Sequence, residues 1–205
     1  MPPFLLYLTN CLTCPIIYNE PAEIIISSSC AFSNVYLTAS SIFGIAITSE
    51  TYFSIGAHPA FMCPMVAGEI IDDYYFEFNE KESCDIIPIS EEGYIKRERK
   101  QYLVNNNIIP LNFDVFKGDA LVFDSLKSNK ISLKSVNHDK VLTMDFTGFP
   151  YMGLWTKATG APFVCIEPWY GHADFEDFDG ELKDKAGIEK LQIGQKFNSS
   201  YTVTI

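Results

Sequence analysis

The chain has 205 residues, 47% of them hydrophobic and 20% charged, with 16 Phe, 11 Tyr and 2 Trp. That length supports one substantial core, and the wealth of aromatic and β-branched residues favours strands over helices. A formal net charge of −11 argues against nucleic acid and anionic membranes as partners, because phosphates repel an acidic surface.

The first fifty residues are serine-rich and poor in charge. Runs such as EIIISSSCAF and SIFGIAITS could form strands but alternate too poorly to define boundaries. The opening MPPFLLYLTNCLTCPII is apolar, yet it carries two prolines and no basic flank, so neither a signal peptide nor a membrane span is expected. Cys11 and Cys14 form a C-x-x-C. No second ligand pair follows at zinc spacing, and no βαβ pattern surrounds it, so no metal or redox site is expected there. With six irregularly spaced cysteines, the reading is free thiols, mostly buried, in a reducing compartment, the cytoplasm.

From Thr51 onward, short alternating runs dominate. TYFSI alternates and leads into SIGAHPAF. YYFEFNEKE places Tyr74, Phe76 and Phe78 on one face. The basic KRERK, Lys96 to Lys100, reads as a solvated strand end or loop. DALVFDSL, NKISLKSV and KVLTMDF are further strands, with NNNIIP, SNK, NHDK and GFPYMG as the turns between runs. APFVCIEPWYG reads as a strand ended by Pro168. An acidic, turn-rich stretch with at most one or two helical turns follows, and SYTVTI closes the chain as a strand. The pattern predicts an all-β sandwich or barrel-like fold, with residues 1–205 as a single domain and residues 1–50 atypical within it.

Few residues stand out for chemistry. His138 lies in a turn composition and reads as solvated, and His172 sits in an acidic loop where function and plain exposure explain it equally well. His58 differs. Pro59 forces it into extended backbone, and Gly56 lets a ligand or another backbone approach closely. It is either a core histidine bonded to a carbonyl or a site residue. Glu167 ends an apolar strand whose one face is Phe163, Cys165 and Glu167. A carboxylate there is costly unless it is bonded to backbone N–H groups or put to use. Trp169 and Tyr170 follow it, giving flat surface beside an acid, which suits a sugar ring with apolar faces and hydroxyl edges. A histidine and a glutamate on separate strands can act as an acid/base pair near neutral pH. No Ser-His-Asp set, phosphate-cradling Gly loop or HExxH is present.

SIGAHPAF followed by Cys-Pro, then DALVF, GFPYMGLWTK, CIEPWYG and an acidic DG-containing loop resembles the aldose 1-epimerase (galactose mutarotase-like) family, in its LacX-type subgroup. The resemblance covers about residues 51–205. It implies a β-supersandwich and a mutarotase that interconverts the α and β anomers of a hexose. It also implies Glu167 as general base and His58 as general acid. Asp119 in KGDALVF becomes the counterpart of an aspartate that holds sugar hydroxyls, and Trp155, Phe61 and Trp169 become ring contacts. No metal or organic cofactor is implied. Relatives carry a longer early portion with more strands, an arginine and a further histidine; here no histidine precedes His58 and no arginine precedes Arg97. The resemblance therefore implies a shortened or divergent member with a sandwich incomplete at its N-terminus, and leaves a non-catalytic sugar-binding protein of the same fold as the alternative.

Overall fold

The computed structural model describes residues 23–32, 37–46 and 50–205. In chain order its strands are β1 (Glu23–Phe32), β2 (Leu37–Ala46), β3 (Thr51–Phe53), β4 (Ile55–Gly56), β5 (Ala60–Met62), β6 (Tyr74–Ile86), β7 (Lys100–Pro110), β8 (Leu121–Phe123), β9 (Lys130–Ser135), β10 (Val141–Asp145), β11 (Tyr151–Trp155), β12 (Phe163–Tyr170), β13 (Glu189–Leu191) and β14 (Lys196–Thr204). They form a seven-stranded sheet ordered β1-β2-β14-β10-β9-β6-β7 and a five-stranded sheet ordered β4-β12-β11-β8, with β5 also on β12. A two-stranded piece, β13-β3, completes the set.

Alternation decides which faces meet. In the large sheet, Tyr74, Phe76 and Phe78 of β6, Ile131 and Leu133 of β9, Leu142 and Met144 of β10 and Tyr201 and Val203 of β14 are buried. They pack against Phe61, Leu121, Phe123, Met152, Leu154, Val164 and Ile166 of the small sheet in one continuous core. Each such side chain is worth roughly 1.5–3 kcal/mol in burial, which makes this interlayer the main source of stability. The other face of the small sheet carries a second, smaller cluster of Ile87, Ile95, Ala120 and Val122, against which Trp155, Trp169 and Phe175 pack. That second face holds the candidate site.

The all-β reading holds, and three local expectations change. Pro168 does not end its strand. β12 runs on to Tyr170, because the Pro168 carbonyl still accepts from Ala57 N at 3.0 Å and only a donor is lost. NNNIIP is not a turn but the second half of β7, which pairs irregularly with β6. GFPYMG is a turn only in its first half; Tyr151 starts β11, the strand beside β12. The serine-rich early region supplies β1 and β2, paired to each other throughout, and β2 joins β14 from Lys196↔Ala46 to Thr204↔Thr38.

Cys63, Cys84 and Cys165 are free and buried. The C-x-x-C at Cys11 and Cys14 lies outside the described residues. Among the described residues no helix is long and apolar enough to cross a membrane.

Candidate active site

The site is built by one register. β4 pairs with β12 as Trp169↔Gly56, and β5 pairs with the same strand as Cys165↔Ala60. The offset is the same on both sides of the gap, so His58 stands directly opposite Glu167. Ala57 N donates to the Pro168 carbonyl at 3.0 Å, and Ile166 N to the Pro59 carbonyl at 3.4 Å. His58 and Glu167 are thus the non-hydrogen-bonded pair between two bonded ones, the position where facing side chains come closest. Each flanking pair contains a proline, which removes one ladder donor on either side. The result is a stiff but sparsely bonded stretch holding His58 Nε2 3.3 Å from Glu167 Oε1.

Its partners, not its burial, separate Glu167 from an ordinary structural acid. Glu82 is 1% exposed, and its carboxylate accepts from the Ser128 N–H at 2.8 Å and the Lys127 N–H at 3.1 Å. It is a backbone clamp. Glu167 is 3% exposed, and its partners are side chains, His58 and Trp169. Burial pushes its carboxyl up to about 8, the nearby negative charge of Asp119 adds to this, and the Trp169 hydrogen bond opposes it. His58 is lowered, chiefly by burial, although 35% of its side chain remains exposed. Both shifts favour uncharged forms, so near neutral pH the pair shares a single proton across 3.3 Å.

Trp169 forms the floor. A Cβ on Gly56 would lie 2.5 Å from the indole Cδ1, and one on Gly153 would lie 2.5 Å from Cη2 and Cζ2. Glycines on both neighbouring strands, β4 and β11, therefore let the indole lie flat across the sheet. His58, Glu167 and Trp169 line a cavity of about 360 Å³ that continues to Ser54, His172, Leu182 and Lys185.

The other predicted residues fall in different places. Trp155 stands beside the pair, edge-on to the His58 ring at 6.0 Å between centroids. Asp119 is exposed in a left-handed turn with φ +73, a conformation Asp tolerates, and its carboxylate accepts from Ala120 N at 2.6 Å. It acts on Glu167 through its charge. Phe61 is not a ring contact. It lies three residues from His58, hence on the opposite face, and is 1% exposed in the interlayer core beside its partner Val164.

The histidine readings change as well. His138 is not solvated. Its Nε2 is 3.2 Å from both Glu69 Oε2 and Tyr74 Oη, and its Nδ1 accepts from Lys140 N at 3.1 Å. Tyr74 also donates to Glu69, so the three form a pin at the far end of β6 and β9. His172 is half-buried on the cavity wall, edge-on to Tyr151 at 5.0 Å, with Nδ1 2.7 Å from the Ala173 carbonyl. Burial lowers its pKa. Lys185, anchored to Asp174 Oδ1 at 2.5 Å, lines the same wall. Sequence reasoning passed over Lys185 because loop residues carry no period that would place them. The KRERK stretch is exposed, as expected, with Arg97 paired to Asp177 and Arg99 to Asp124.

The family model for aldose 1-epimerase matches residues 40–186. Two curated relatives from Lactococcus lactis subsp. lactis, Protein LacX of chromosomal and of plasmid origin, are each 40% identical over 157 residues. The alignment takes in 75% of this chain and 52% of the relative, so the chain spans about half the length of the curated relatives it matches. Among solved structures, a galactose mutarotase related enzyme from Lactobacillus acidophilus superposes with a TM-score of 0.76 at 24% identity, over 93% of this chain and 70% of that one. A galactose mutarotase-like protein from Lactobacillus casei gives 0.76 at 22% identity, over 92% and 67%. A galactose 1-epimerase from Lactobacillus acidophilus gives 0.59 at 13% identity, over 88% and 66%. The fold is therefore that of the galactose mutarotase-like proteins, and the chain belongs to the aldose 1-epimerase family.

Proposed function

We propose that the protein is an aldose 1-epimerase that interconverts the α and β anomers of a hexose, with Glu167 as base and His58 as acid. The observation that carries this reading is the buried Glu167 carboxyl facing His58 Nε2 at 3.3 Å on a Trp-floored cavity. In the reactive form the shared proton sits on His58. Glu167 takes the proton of the anomeric hydroxyl while His58 protonates the ring oxygen, and the C1–O5 bond breaks to give the open aldehyde. Rotation about C1–C2 and the reverse transfers close the ring as the other anomer. Only protons move, so no redox partner is needed.

The geometry supports these roles. A carboxyl raised to about 8 makes Glu167 a stronger proton acceptor than an ordinary carboxylate, and the lowered His58 is a readier donor than an ordinary imidazolium, which suits base and acid roles. The flat Trp169 indole offers a surface for the apolar face of a pyranose, and Trp155 closes the side next to His58. Asp119, near enough for its charge to act on Glu167, is proposed to hold sugar hydroxyls. The free, buried thiols suit a reducing compartment, and we assign the protein to the cytoplasm.

A second reading, a sugar-binding protein without catalysis, is favoured by one observation: burial pushes both Glu167 and His58 toward their uncharged forms, which bind hydroxyls without moving a proton. Polarimetry of freshly dissolved α-glucose or α-galactose, run beside calorimetry with the same sugars, separates the two. Acceleration over buffer supports the enzyme. Heat of binding without acceleration supports the binding protein, and neither signal from folded protein rejects both.

A further inference from the structure

β12 carries more chemistry than an acid/base pair requires. Cys165 lies two residues before Glu167 on the same face of the strand. Its neighbour on one side is Ala60 and on the other Trp155. The Cys165 sulfur, His58 imidazole nitrogen and Glu167 carboxylate oxygen all lie within 4.8 Å of one another, and two of the three residues are buried.

We propose that His58, Cys165 and Glu167 form a three-ligand site for a zinc-class divalent cation, and that the bound cation shuts the sugar site. Nitrogen, sulfur and oxygen donors together select a borderline-soft ion such as Zn²⁺ or Co²⁺ over Mg²⁺ or Ca²⁺. Ligand bonds of 2.0–2.3 Å place tetrahedral donors roughly 3.3–3.8 Å apart. His58 and Glu167 are already 3.3 Å apart, and with all three donors within 4.8 Å the sulfur needs to approach by at most about 1 Å, within the reach of a side-chain rotation. The fourth position opens on the cavity, where water or a sugar oxygen can complete the shell.

Binding balances simply. The cation takes the thiolate, the carboxylate and the imidazole lone pair, and the thiol proton and the proton shared by Glu167 and His58 pass to solvent. Both groups that move protons in the epimerase reaction are then occupied. The inhibition rests on the proposed epimerase reading, whereas the binding site does not.

The test uses Co²⁺ on the full chain, because cobalt reports its ligands optically. Wild type is predicted to give a thiolate-to-cobalt charge-transfer band in the near ultraviolet and intense visible bands of four-coordination, saturating at one ion per chain. Cys165→Ser and Cys165→Ala, checked as folded by circular dichroism, are predicted to lose the charge-transfer band. Their affinity should fall by more than the roughly 10–100-fold that follows loss of an outer partner. The double variant Cys11→Ala/Cys14→Ala is predicted to keep the band. No band in wild type, a band surviving in folded Cys165→Ser, or a band lost in the double variant overturns the proposal. Zn²⁺ is further predicted to stop anomer exchange, with recovery on adding EDTA. If the cobalt bands behave as predicted and no exchange exists to inhibit, the metal site stands and the epimerase reading falls.

Discussion

Replacing Glu167 with glutamine tests whether the carboxyl is held in the protonated form by its surroundings. The folded chain keeps this proton up to about pH 8, against 4.5 for an unburied glutamate. Between these values the folded state binds more protons than the unfolded state, so the contribution of Glu167 to stability is fully present below 4.5 and is lost as pH rises through 8. His58 has the opposite sign: its folded pKa lies below 6.5, so its contribution grows as pH rises toward 6.5 and is constant above. The window from 6.5 to 8 therefore isolates Glu167 within the pair. Across it the wild type should lose about 2 kcal/mol relative to Glu167→Gln, at 1.36 kcal/mol per pH unit. With a urea dependence of about 2 kcal/mol per molar, the gap between their unfolding midpoints should shift by about 1 M between pH 6.5 and 8.5. Other titrating groups are common to both proteins and cancel in the difference. Parallel pH profiles for the two proteins would refute the reasoning, because they would mean that Glu167 is already ionised at pH 6.5.

Three further outcomes follow from the same geometry. Gly153→Ala places a methyl 2.5 Å from the Trp169 indole, against an ordinary contact of 3.5–4.0 Å, so the ring must lift by about 1 Å. Tryptophan fluorescence should shift, the melt should fall by about 1–3 kcal/mol, and KM should rise; an unchanged spectrum and KM would contradict a flat indole floor. Glu82→Ala strands the Lys127 and Ser128 N–H groups and should cost about 2–4 kcal/mol in urea unfolding, while the folded variant still exchanges anomers; a neutral change would show that the clamp is dispensable. The pH profile of kcat/KM should be bell-shaped: it should be high where the pair holds one shared proton and fall as that proton leaves at about 8, and activity that keeps rising through about pH 9 would mean that His58 is not the acid.

The two halves of the site were legible in the sequence for different reasons. His58 was marked by Gly56 and Pro59, and Glu167 by its place at the end of an apolar strand. What no local reading could supply was the register that sets them face to face, because strand pairing across some hundred residues leaves no local trace. The same limit hid the role of Gly153: GFPYMG looked like a turn, and only its place beside β12 makes the glycine a seat for Trp169. Phe61 shows the converse. Its parity relative to His58 already places it on the other face, against the ring contact that the resemblance implied. Pro168 misled because a missing donor was equated with a strand end, when its carbonyl could still pair with Ala57. His172 and Lys185 reach the cavity on loops, where position follows from packing alone. His138 read as a turn histidine because Glu69 and Tyr74, its partners, lie far away in sequence.

The most direct measurement is optical rotation of freshly dissolved α-galactose or α-glucose with wild-type protein and with folded Glu167→Gln. Wild type should speed the decay to equilibrium well above buffer, and the glutamine variant should lose most of that acceleration, since an amide cannot take the anomeric proton. Equal acceleration by both proteins, or none by folded wild type, would contradict the proposed reaction.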